Sequence, residues 1–355
     1  ADGSNFVNMV KAIFNYDPTI ERVFIKEGSV PLVKKGNVVD KIQTEKFSRN
    51  SILEIIKDVC DENERKFLIS NGVVTVNKTI GDKVYKINVY KEKNSFLILI
   101  INSNIVFKNL LDYRIDKTLM KYIVDQSKGI TFLIAPYGHG KTTFITSIID
   151  YFNANKNYNI LYITNKINNT VANINSNIIQ IEKDVIKDAN RFVRMINDID
   201  PTLLFIHNLD DLEIFNNVYK FVESGRPAFI SMESNSIQYA FESLLYKEND
   251  GVIRYHLNRV SDLAKLFINF RLITAKNGKD KFFVYEYCLN NFKLKKIFRE
   301  NNLQAISSQL RGTGEYLPFE MQIAELFNNE LITYDVAESS SQDIELFKRY
   351  AKINS

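Results

Sequence analysis

The sequence predicts an α/β protein whose larger part is built on a parallel sheet. From Gly129 onward, short apolar runs of strand type alternate with segments of helical periodicity, which is the pattern of a parallel sheet. One of these runs leads directly into a glycine-rich loop. The 355 residues are 45% apolar and 25% charged, an ordinary globular composition with enough length for two separate cores.

The glycine-rich loop follows the apolar run Ile130 to Ile134 and reads Ala135-Pro-Tyr-Gly-His-Gly-Lys-Thr142. It matches the Walker A pattern, with Ala in place of the first Gly. Gly138 and Gly140 permit positive φ angles, so that consecutive backbone N–H groups can converge on phosphate oxygens. A helix predicted at Phe144 to Phe152 directs its positive dipole end towards the same anion. We therefore predict a nucleotide phosphate site that binds ATP or ADP.

The residues of this loop have separate expected roles. Lys141 is expected to reach the β- and γ-phosphates, and the Thr142 hydroxyl to be a ligand of Mg²⁺. The His139 side chain is expected to point to solvent or to a neighbouring subunit. The predicted nucleotide-binding residues are Pro136, Tyr137, Gly138, His139, Gly140, Lys141, Thr142 and Thr143.

Residues 1–103 are predicted to form a small α/β domain, and residues 104–128 a connector that ends in a helix at Asp116 to Gln126. Helix, hairpin, helix and meander in this order imply a sheet covered by helices on one face. The predicted elements of the domain are a helix at Phe6 to Phe14, strands at Val23 to Val33 and Val38 to Ile42, a helix at Ser51 to Leu68, and strands at Val73 to Val76, Val84 to Tyr90 and Phe96 to Ile101.

Residues 129–355 are predicted to form the second domain, with a parallel core, a β-ribbon and a helical tail. The core strands are predicted at Thr131 to Ala135, Ile160 to Thr164, Leu203 to His207 and Ala228 to Met232. The helices among them are predicted at Asp188 to Asn197, Leu212 to Glu223 and Ile237 to Leu245. The ribbon is predicted at Leu272 to Ala275 and Phe282 to Cys288, and the tail helices at Phe292 to Arg299, Leu303 to Leu310, Phe319 to Phe327 and Ile344 to Tyr350.

Composition and charge exclude several classes of function. The net charge of +4 is small and dispersed, so it gives no argument for nucleic acid. A lysine-rich helix near Lys295 lacks the interleaved aromatic residues that stack bases, and we interpret it as a solvated face or a subunit contact.

Cys60 and Cys288 lack metal-type spacing, so we expect reduced core thiols. We expect neither a membrane span nor a signal peptide.

The order of elements resembles that of PilT-like retraction motors in the type II/IV secretion ATPase superfamily. The matching segments are Ile20 to Asn37, Lys128 to Asp150, Asp200 to Ile206, Phe221 to Gly225, Arg271 to Glu286 and Phe292 to Glu300. The resemblance implies a PAS-like N-terminal α/β domain and a RecA-like P-loop NTPase core. It further implies a cytoplasmic hexameric ring with nucleotide between subunits, located at the inner face of the membrane and contacting inner-membrane platform or other envelope-machine proteins.

The chain departs from this family where the catalytic residues belong. The acidic box that follows the second core strand is replaced by Thr164-Asn-Lys-Ile-Asn168, which has no carboxylate. The family's Gly-Glu pair becomes His207-Asn208, and its His-Thr pair becomes Glu233-Ser234. The arginines that reach a neighbouring subunit's nucleotide in the family fall near Val84, Lys86, and Lys93 or Asn94.

These departures predict poor hydrolysis, because ATP cleavage needs a group that orients or deprotonates water and acidic groups that hold Mg²⁺. The leading hypothesis is a degenerate motor with a structural or regulatory role. The alternative is a working motor ATPase in which Glu233 or a partner chain supplies the missing group. The neighbouring Asp210 and Asp211 are more plausible as helix caps, and Glu233 is also expected to pair with Lys141. A helicase would share the core fold but lacks support from the charge distribution.

Overall fold

A computed structural model describes residues 5–35, 38–81, 83–102, 109–125, 128–167, 171–278 and 280–353 of the chain. Contacts between residues divide the chain into two compact units, Ala1–Phe107 and Lys108–Ser355. One hydrophobic cluster lies wholly in the first unit, and three others lie wholly in the second. Each unit therefore has its own core, and Cys60 and Cys288 are buried free thiols in these cores, as expected.

The first unit is an antiparallel sheet with helices. Its strands lie in the order β3-β2-β1-β6-β5-β4, and every neighbouring pair is antiparallel. Its elements are α1 (Asn5–Tyr16), β1 (Arg22–Lys26), β2 (Leu32–Lys35), β3 (Val38–Lys41), α2 (Arg49–Val59), α3 (Glu62–Asn71), β4 (Val73–Ile80), β5 (Lys83–Glu92) and β6 (Ser95–Asn102).

Two predictions for this unit each merged two elements into one, and the strand predicted at Val73 to Val76 continues to Ile80. The single strand predicted at Val23 to Val33 is two strands, because the chain reverses at Gly28, whose φ of 74° suits a glycine. The single helix predicted at Ser51 to Leu68 is two helices. Asp61 and Glu64 form a capping box that starts the second helix. The apolar periodicity of the sequence continues through the short non-helical segment between the two helices, which is why they were predicted as one. The sequence also predicts turns at Lys35-Gly-Asn37 and around Gly81-Asp82, of which Gly36, Asn37 and Asp82 lie outside the described residues.

The second unit is built on a mixed eight-stranded sheet. The strand order is β14-β13-β12-β7-β11-β10-β8-β9. The six strands β12, β7, β11, β10, β8 and β9 are parallel to one another, whereas β13 pairs antiparallel with β12 and β14 pairs antiparallel with β13. The strands are β7 (Ile130–Ala135), β8 (Asn159–Thr164), β9 (Asn177–Glu182), β10 (Leu203–Ile206), β11 (Ala228–Glu233), β12 (Ala264–Thr274), β13 (Lys281–Leu289) and β14 (Tyr316–Leu317).

Helices connect these strands and cover the sheet. They are α4 (Lys117–Val124), α5 (Lys141–Asn155), α6 (Ala189–Ile199), α7 (Leu212–Glu223), α8 (Ile237–Leu245), α9 (Asp250–Leu263), α10 (Phe292–Arg299), α11 (Ile306–Leu310), α12 (Phe319–Asn328), α13 (Tyr334–Ser340) and α14 (Ile344–Ala351). Strand β7 is buried along its whole length between β11 and β12. The carboxyl ends of β7, β8, β10 and β11 consequently meet at one edge of the sheet, where open α/β sheets bind ligands.

Four strands and helices of this unit were not predicted from the sequence, and two predicted elements begin earlier than expected. The missed elements are strands β9 and β14 and helices α9 and α13, and β12 begins eight residues before the predicted Leu272. Helix α9 runs directly into β12, and no Gly or Pro follows Gly251 before the strand begins. The sequence therefore contains no residue that marks the end of the helix and the start of the strand. The helix predicted from Phe144 begins earlier, at Lys141. The end of the predicted helix at Gln126 lies outside the described residues, and so does Lys279, in the turn that the sequence predicts at Asn277-Gly-Lys279 between the ribbon strands.

Candidate nucleotide site

The predicted phosphate loop connects the central strand β7 to the N-terminus of α5. Gly138 and Gly140 have φ angles of 77° and 80°, which confirms that both glycines are needed for left-handed backbone. Gly140 is the N-cap of α5, and no side chain caps the helix there. The first N–H groups of α5 are therefore left to an external acceptor, which is the arrangement that suits an anion.

The Lys141 ammonium group is buried and contacts two oxygen atoms at the carboxyl ends of the neighbouring strands β7 and β11. Its Nζ atom donates to the Ala135 carbonyl at 3.1 Å and lies 3.4 Å from Glu233 Oε2. Strand β11 pairs with β7 so that Glu233 lies opposite Ala135, which confirms the expected pairing of Glu233 with Lys141. Burial lowers the pKa of Lys141, and the Glu233 carboxylate partly opposes this shift.

Asn208 follows β10 by two residues, at the position that the sequence resemblance aligns with the glutamate of a Gly-Glu pair. Its backbone is left-handed, with φ of 48°, and its Nδ2 atom donates to Glu233 Oε2 at 3.4 Å. Its backbone N–H donates to Ser231 Oγ at 2.8 Å. Its Oδ1 atom is buried and has no hydrogen-bond partner among the described residues. The position therefore offers an amide where a carboxylate was expected.

His207 is a hydrogen-bonded histidine that directly follows β10. It is buried, and its Nδ1 atom lies 3.0 Å from Ser231 Oγ. Burial and the positive charges of Lys141 and Lys183 lower the pKa of His207 to about 4. The ring is consequently neutral at physiological pH and serves packing.

Lys183 and Glu182 were not identified from the sequence, because they end the unpredicted strand β9. Lys183 Nζ donates to the Asn208 carbonyl, and burial lowers its pKa while Asp210 and Asp211 oppose the shift. Glu182 lies opposite Thr164, and its Oε1 atom accepts the Ile167 N–H at 2.9 Å. The carboxylate of Glu182 is therefore engaged with the backbone of the loop after β8. Recognising β9 as an edge strand would have revealed both residues.

The loop after β8 carries no carboxylate over its described part, residues 165–167. Thr164, at the end of the strand, is buried. Asn168, the last residue of the altered acidic box, lies outside the described residues. Nor do the described residues contain a group of three or more His, Cys, Asp or Glu side chains that could hold a metal ion.

The expected orientation of His139 was wrong. The side chain is half-buried, and its Nδ1 atom accepts the Leu272 N–H at 3.0 Å. This contact arises because β12 continues beyond Asn269, the last residue that pairs with β7, and passes beside the loop. Burial, together with the positive charges of Arg271, Lys281 and Lys141, lowers the pKa of His139 to about 4.

The remaining loop residues are more accessible. Tyr137 is 63% exposed, Thr142 is exposed, and Pro136 and Thr143 are half-buried. The Thr142 carbonyl accepts the Thr146 hydroxyl within α5, whereas its own hydroxyl is on the exposed first turn. An exposed hydroxyl in this position is suited to a Mg²⁺ ligand.

The loop that follows β11 is held by the Asn235 carbonyl, on which three side-chain donors converge. Asn269 Nδ2 donates to it at 3.2 Å and Gln342 Nε2 at 2.7 Å, and the Arg271 guanidinium donates as well. The N–H of Gln342 in turn donates to Glu320 Oε1 at 2.8 Å. A loop two residues from Glu233 is thus tied both to β12 and to the C-terminal helices.

A buried carboxylate lies on the neighbouring ribbon. Glu286 on β13 accepts Asn269 Nδ2 at 3.0 Å and the Tyr316 hydroxyl at 3.3 Å. Burial raises the pKa of Glu286 to about 7, and the nearby Glu320 acts in the same direction. Asp211 has the structural role expected of it, because Oδ1 accepts the N–H groups of Glu213 and Ile214 at the start of α7.

Among the described residues, no helix is both long enough and apolar enough to cross a bilayer. No protein-family model matches the chain. Two relatives are similar over most of their length. The type IV pilus ATPase PilU of Pseudomonas aeruginosa is 20% identical over 91% of this chain and 86% of its own. A twitching motility protein of Neisseria gonorrhoeae is 18% identical over 89% of this chain and 85% of its own.

Solved structures show the same architecture. The pilus retraction motor PilT with bound ADP matches at a TM-score of 0.78 and 20% identity, covering 97% of this chain and 98% of that one. The ATPase DotB of Legionella pneumophila matches at a TM-score of 0.81 and 15% identity, covering 96% and 97%. The predicted α/β fold, with a RecA-like core preceded by an N-terminal domain, is confirmed. The chain is thus PilT-like in sequence and in fold, which confirms its resemblance to the type II/IV secretion ATPase superfamily.

Proposed function

We propose that the chain is a nucleotide-binding ring protein of a type IV pilus, secretion or motility apparatus, with weak or no ATPase activity and a structural or regulatory role. One observation carries the proposal. The loop that binds phosphate is complete from Gly138 to Thr142, whereas amide or hydroxyl side chains stand at Thr164, Asn165 and Asn208, where hydrolysis needs carboxylates.

The proposed nucleotide is ATP or ADP, held by the loop from Pro136 to Thr143. The N–H groups that follow Gly138 and Gly140 face the phosphates, and Lys141 neutralises their charge. The Thr142 hydroxyl, on an exposed residue, would supply one Mg²⁺ ligand, and phosphate oxygens and water would supply others. Mg²⁺ would neutralise phosphate charge when bound.

Slow hydrolysis follows from the chemistry of the substituted residues. Amides and hydroxyls cannot accept the proton of an attacking water as a carboxylate does, and losing a general base lowers rates by about 10² to 10⁴. Glu182 Oε1 accepts the Ile167 N–H, so this carboxylate contacts the backbone of the loop after β8. Bound nucleotide would then stabilise an interface between subunits more than drive turnover.

The assembly and its surroundings are also proposed by analogy with the relatives. A cytoplasmic hexameric ring at the inner face of the membrane would present residues 1–103, as a PAS-like domain, and residues 129–355 to neighbouring subunits, with residues 104–128 linking the two. Its partners would be inner-membrane platform or envelope-machine proteins. The activities of two relatives support this setting: PilU is a type IV pilus ATPase, and PilT is a pilus retraction motor.

A working motor is the second candidate, and one observation favours it. Glu233 ends β11 beside the phosphate loop, and 47% of its side chain is exposed. The buried Oδ1 atom of Asn208, on the residue that donates to Glu233, has no described partner and could accept a hydrogen bond from water. Glu233 would then act as the general base once nucleotide draws Lys141 away from it.

Steady-state ATP hydrolysis by the purified protein tests the proposal, with Lys141→Ala as the control for the phosphate site. The proposal expects ADP binding that is lost in Lys141→Ala, together with turnover well below about 1 s⁻¹, the lower end of ordinary enzyme rates. Turnover near 1 s⁻¹ that disappears in Lys141→Ala and in Glu233→Gln would establish the working motor instead. Absence of nucleotide binding would overturn both candidates.

A further inference from the structure

His139 connects the phosphate loop to a strand that lies 133 positions further along the chain. Its Nδ1 atom accepts the backbone N–H of Leu272 at 3.0 Å. Strand β12 pairs with β7 only as far as Asn269 opposite Ile134, so Leu272 lies beyond the last paired residue of β7. On the other side, Leu272 is paired with Phe283 of β13, which anchors this part of β12 to the sheet.

Leu272 makes a second contact with the same loop. A Cβ atom placed on Gly140 would lie 3.1 Å from Leu272 Cδ1, so the side chain packs closely against the N-cap of α5. The strand therefore holds the loop at two places, with its N–H at His139 and its side chain at Gly140. His139 and Gly140 are next to the peptide N–H groups to which the proposed function assigns phosphate binding.

We infer that His139 is a positioning residue, which acts through Leu272 to hold the phosphate loop in the conformation that accepts nucleotide phosphate. The inference rests on the proposed function. It assigns to the imidazole a task that needs no contact with the ligand, because the side chain points towards β12. A loop whose N–H groups are fixed beforehand loses less conformational freedom when it binds, and so binds more tightly.

The hydrogen bond from Leu272 defines the protonation state of the His139 ring, that is, which ring nitrogen carries the proton. An Nδ1 atom that accepts a hydrogen bond carries no proton, so the neutral ring has its proton on Nε2. The charged groups that act on the ring are Arg271 on β12, Lys281 on β13 and Lys141 on α5, and all three are positive. Each disfavours a second proton, which keeps Nδ1 available as an acceptor.

Two variants separate the hydrogen bond from the bulk of the side chain. His139→Leu keeps a side chain of similar length but replaces the imidazole with an apolar group, which removes the hydrogen-bond acceptor. His139→Asn restores an acceptor, because its Oδ1 atom is attached at the same Cγ position as Nδ1 of histidine. Two quantities are measured in each: hydrogen exchange of the Leu272 amide without nucleotide, and affinity for ADP. The amide of Ile230, inside β11, reports global stability.

The expected result is faster exchange at Leu272 and about fivefold weaker ADP binding in His139→Leu, the effect of one ordinary hydrogen bond. Both readings should return towards wild type in His139→Asn, with exchange at Ile230 unchanged. Should His139→Leu also lose protection at Ile230, His139→Ala replaces it in the comparison.

Other results would overturn the inference. Unchanged exchange at Leu272 or unchanged ADP affinity in His139→Leu overturns it alone, provided that wild type binds ADP and Lys141→Ala does not. Absence of ADP binding by the wild type overturns the proposed function and this inference together.

Discussion

The ammonium group of Lys141 lies 3.4 Å from the Glu233 carboxylate, across the two central strands of the second sheet. The carboxylate and a nucleotide phosphate are both anions that this lysine can neutralise. In the site that we propose, the two would compete for it, so that Glu233 would oppose nucleotide binding. The same contact would keep Glu233 from acting on water until the lysine is drawn away.

Glu233→Gln should bind ADP about two- to fivefold more tightly, because the competing charge is removed. The gain is small since the Glu233 side chain is 47% exposed and solvent screens the pair. Calorimetric titration with ADP measures it. Glu325→Gln is the matched control, because it removes the same charge from an exposed position on α12. Weaker binding in Glu233→Gln would show that the carboxylate assists the nucleotide, for example by holding Mg²⁺.

Gln342→Ala should lower the free energy of unfolding by about 1 kcal/mol, the net value of an ordinary hydrogen bond. Its Nε2 atom donates to the Asn235 carbonyl at 2.7 Å. Urea denaturation measures the loss. The control is Gln238→Ala, which removes a hydrogen bond of 3.0 Å to Glu242 within the single helix α8 and should have a smaller effect, because that bond joins no two elements of the fold. Equal losses in the two variants would mean that the Asn235 carbonyl is no special anchor.

Glu286 should make the protein less stable as pH rises from about 4.5 to about 7. Its folded-state pKa, about 7, exceeds the ordinary value of 4.5, so the folded state binds a proton more tightly than the unfolded state. The resulting stability is complete below pH 4.5 and is lost as pH rises through 7. The expected loss is on the order of 3 kcal/mol.

Glu286→Gln isolates this contribution, because its amide does not titrate. The difference in unfolding free energy between wild type and variant, measured in urea at pH 5 and pH 8, should change in the direction that favours the variant at pH 8. A difference that is the same at both pH values would show that Glu286 titrates normally in the folded protein.

The sequence predicted those features that depend on local pattern. The apolar runs that became β7, β8, β10 and β11 and the glycines of the phosphate loop were recognised because burial and positive φ leave local traces. Strand β9 was missed because it is a half-buried edge strand without strong alternation. The contact of His139 with Leu272 could not be predicted, since it depends on how far β12 extends beyond its partner strand.

We propose that this site holds nucleotide and cleaves it slowly or not at all. A single-turnover experiment separates this proposal from a working motor: labelled ATP and Mg²⁺ are mixed with an excess of protein, and the label is followed over time. A typical rate of about 1 s⁻¹, reduced at least 10²-fold by the missing base, predicts that bound ATP persists with a half-time longer than about one minute. Conversion of bound ATP to ADP within a few seconds, absent in Lys141→Ala, would contradict the account.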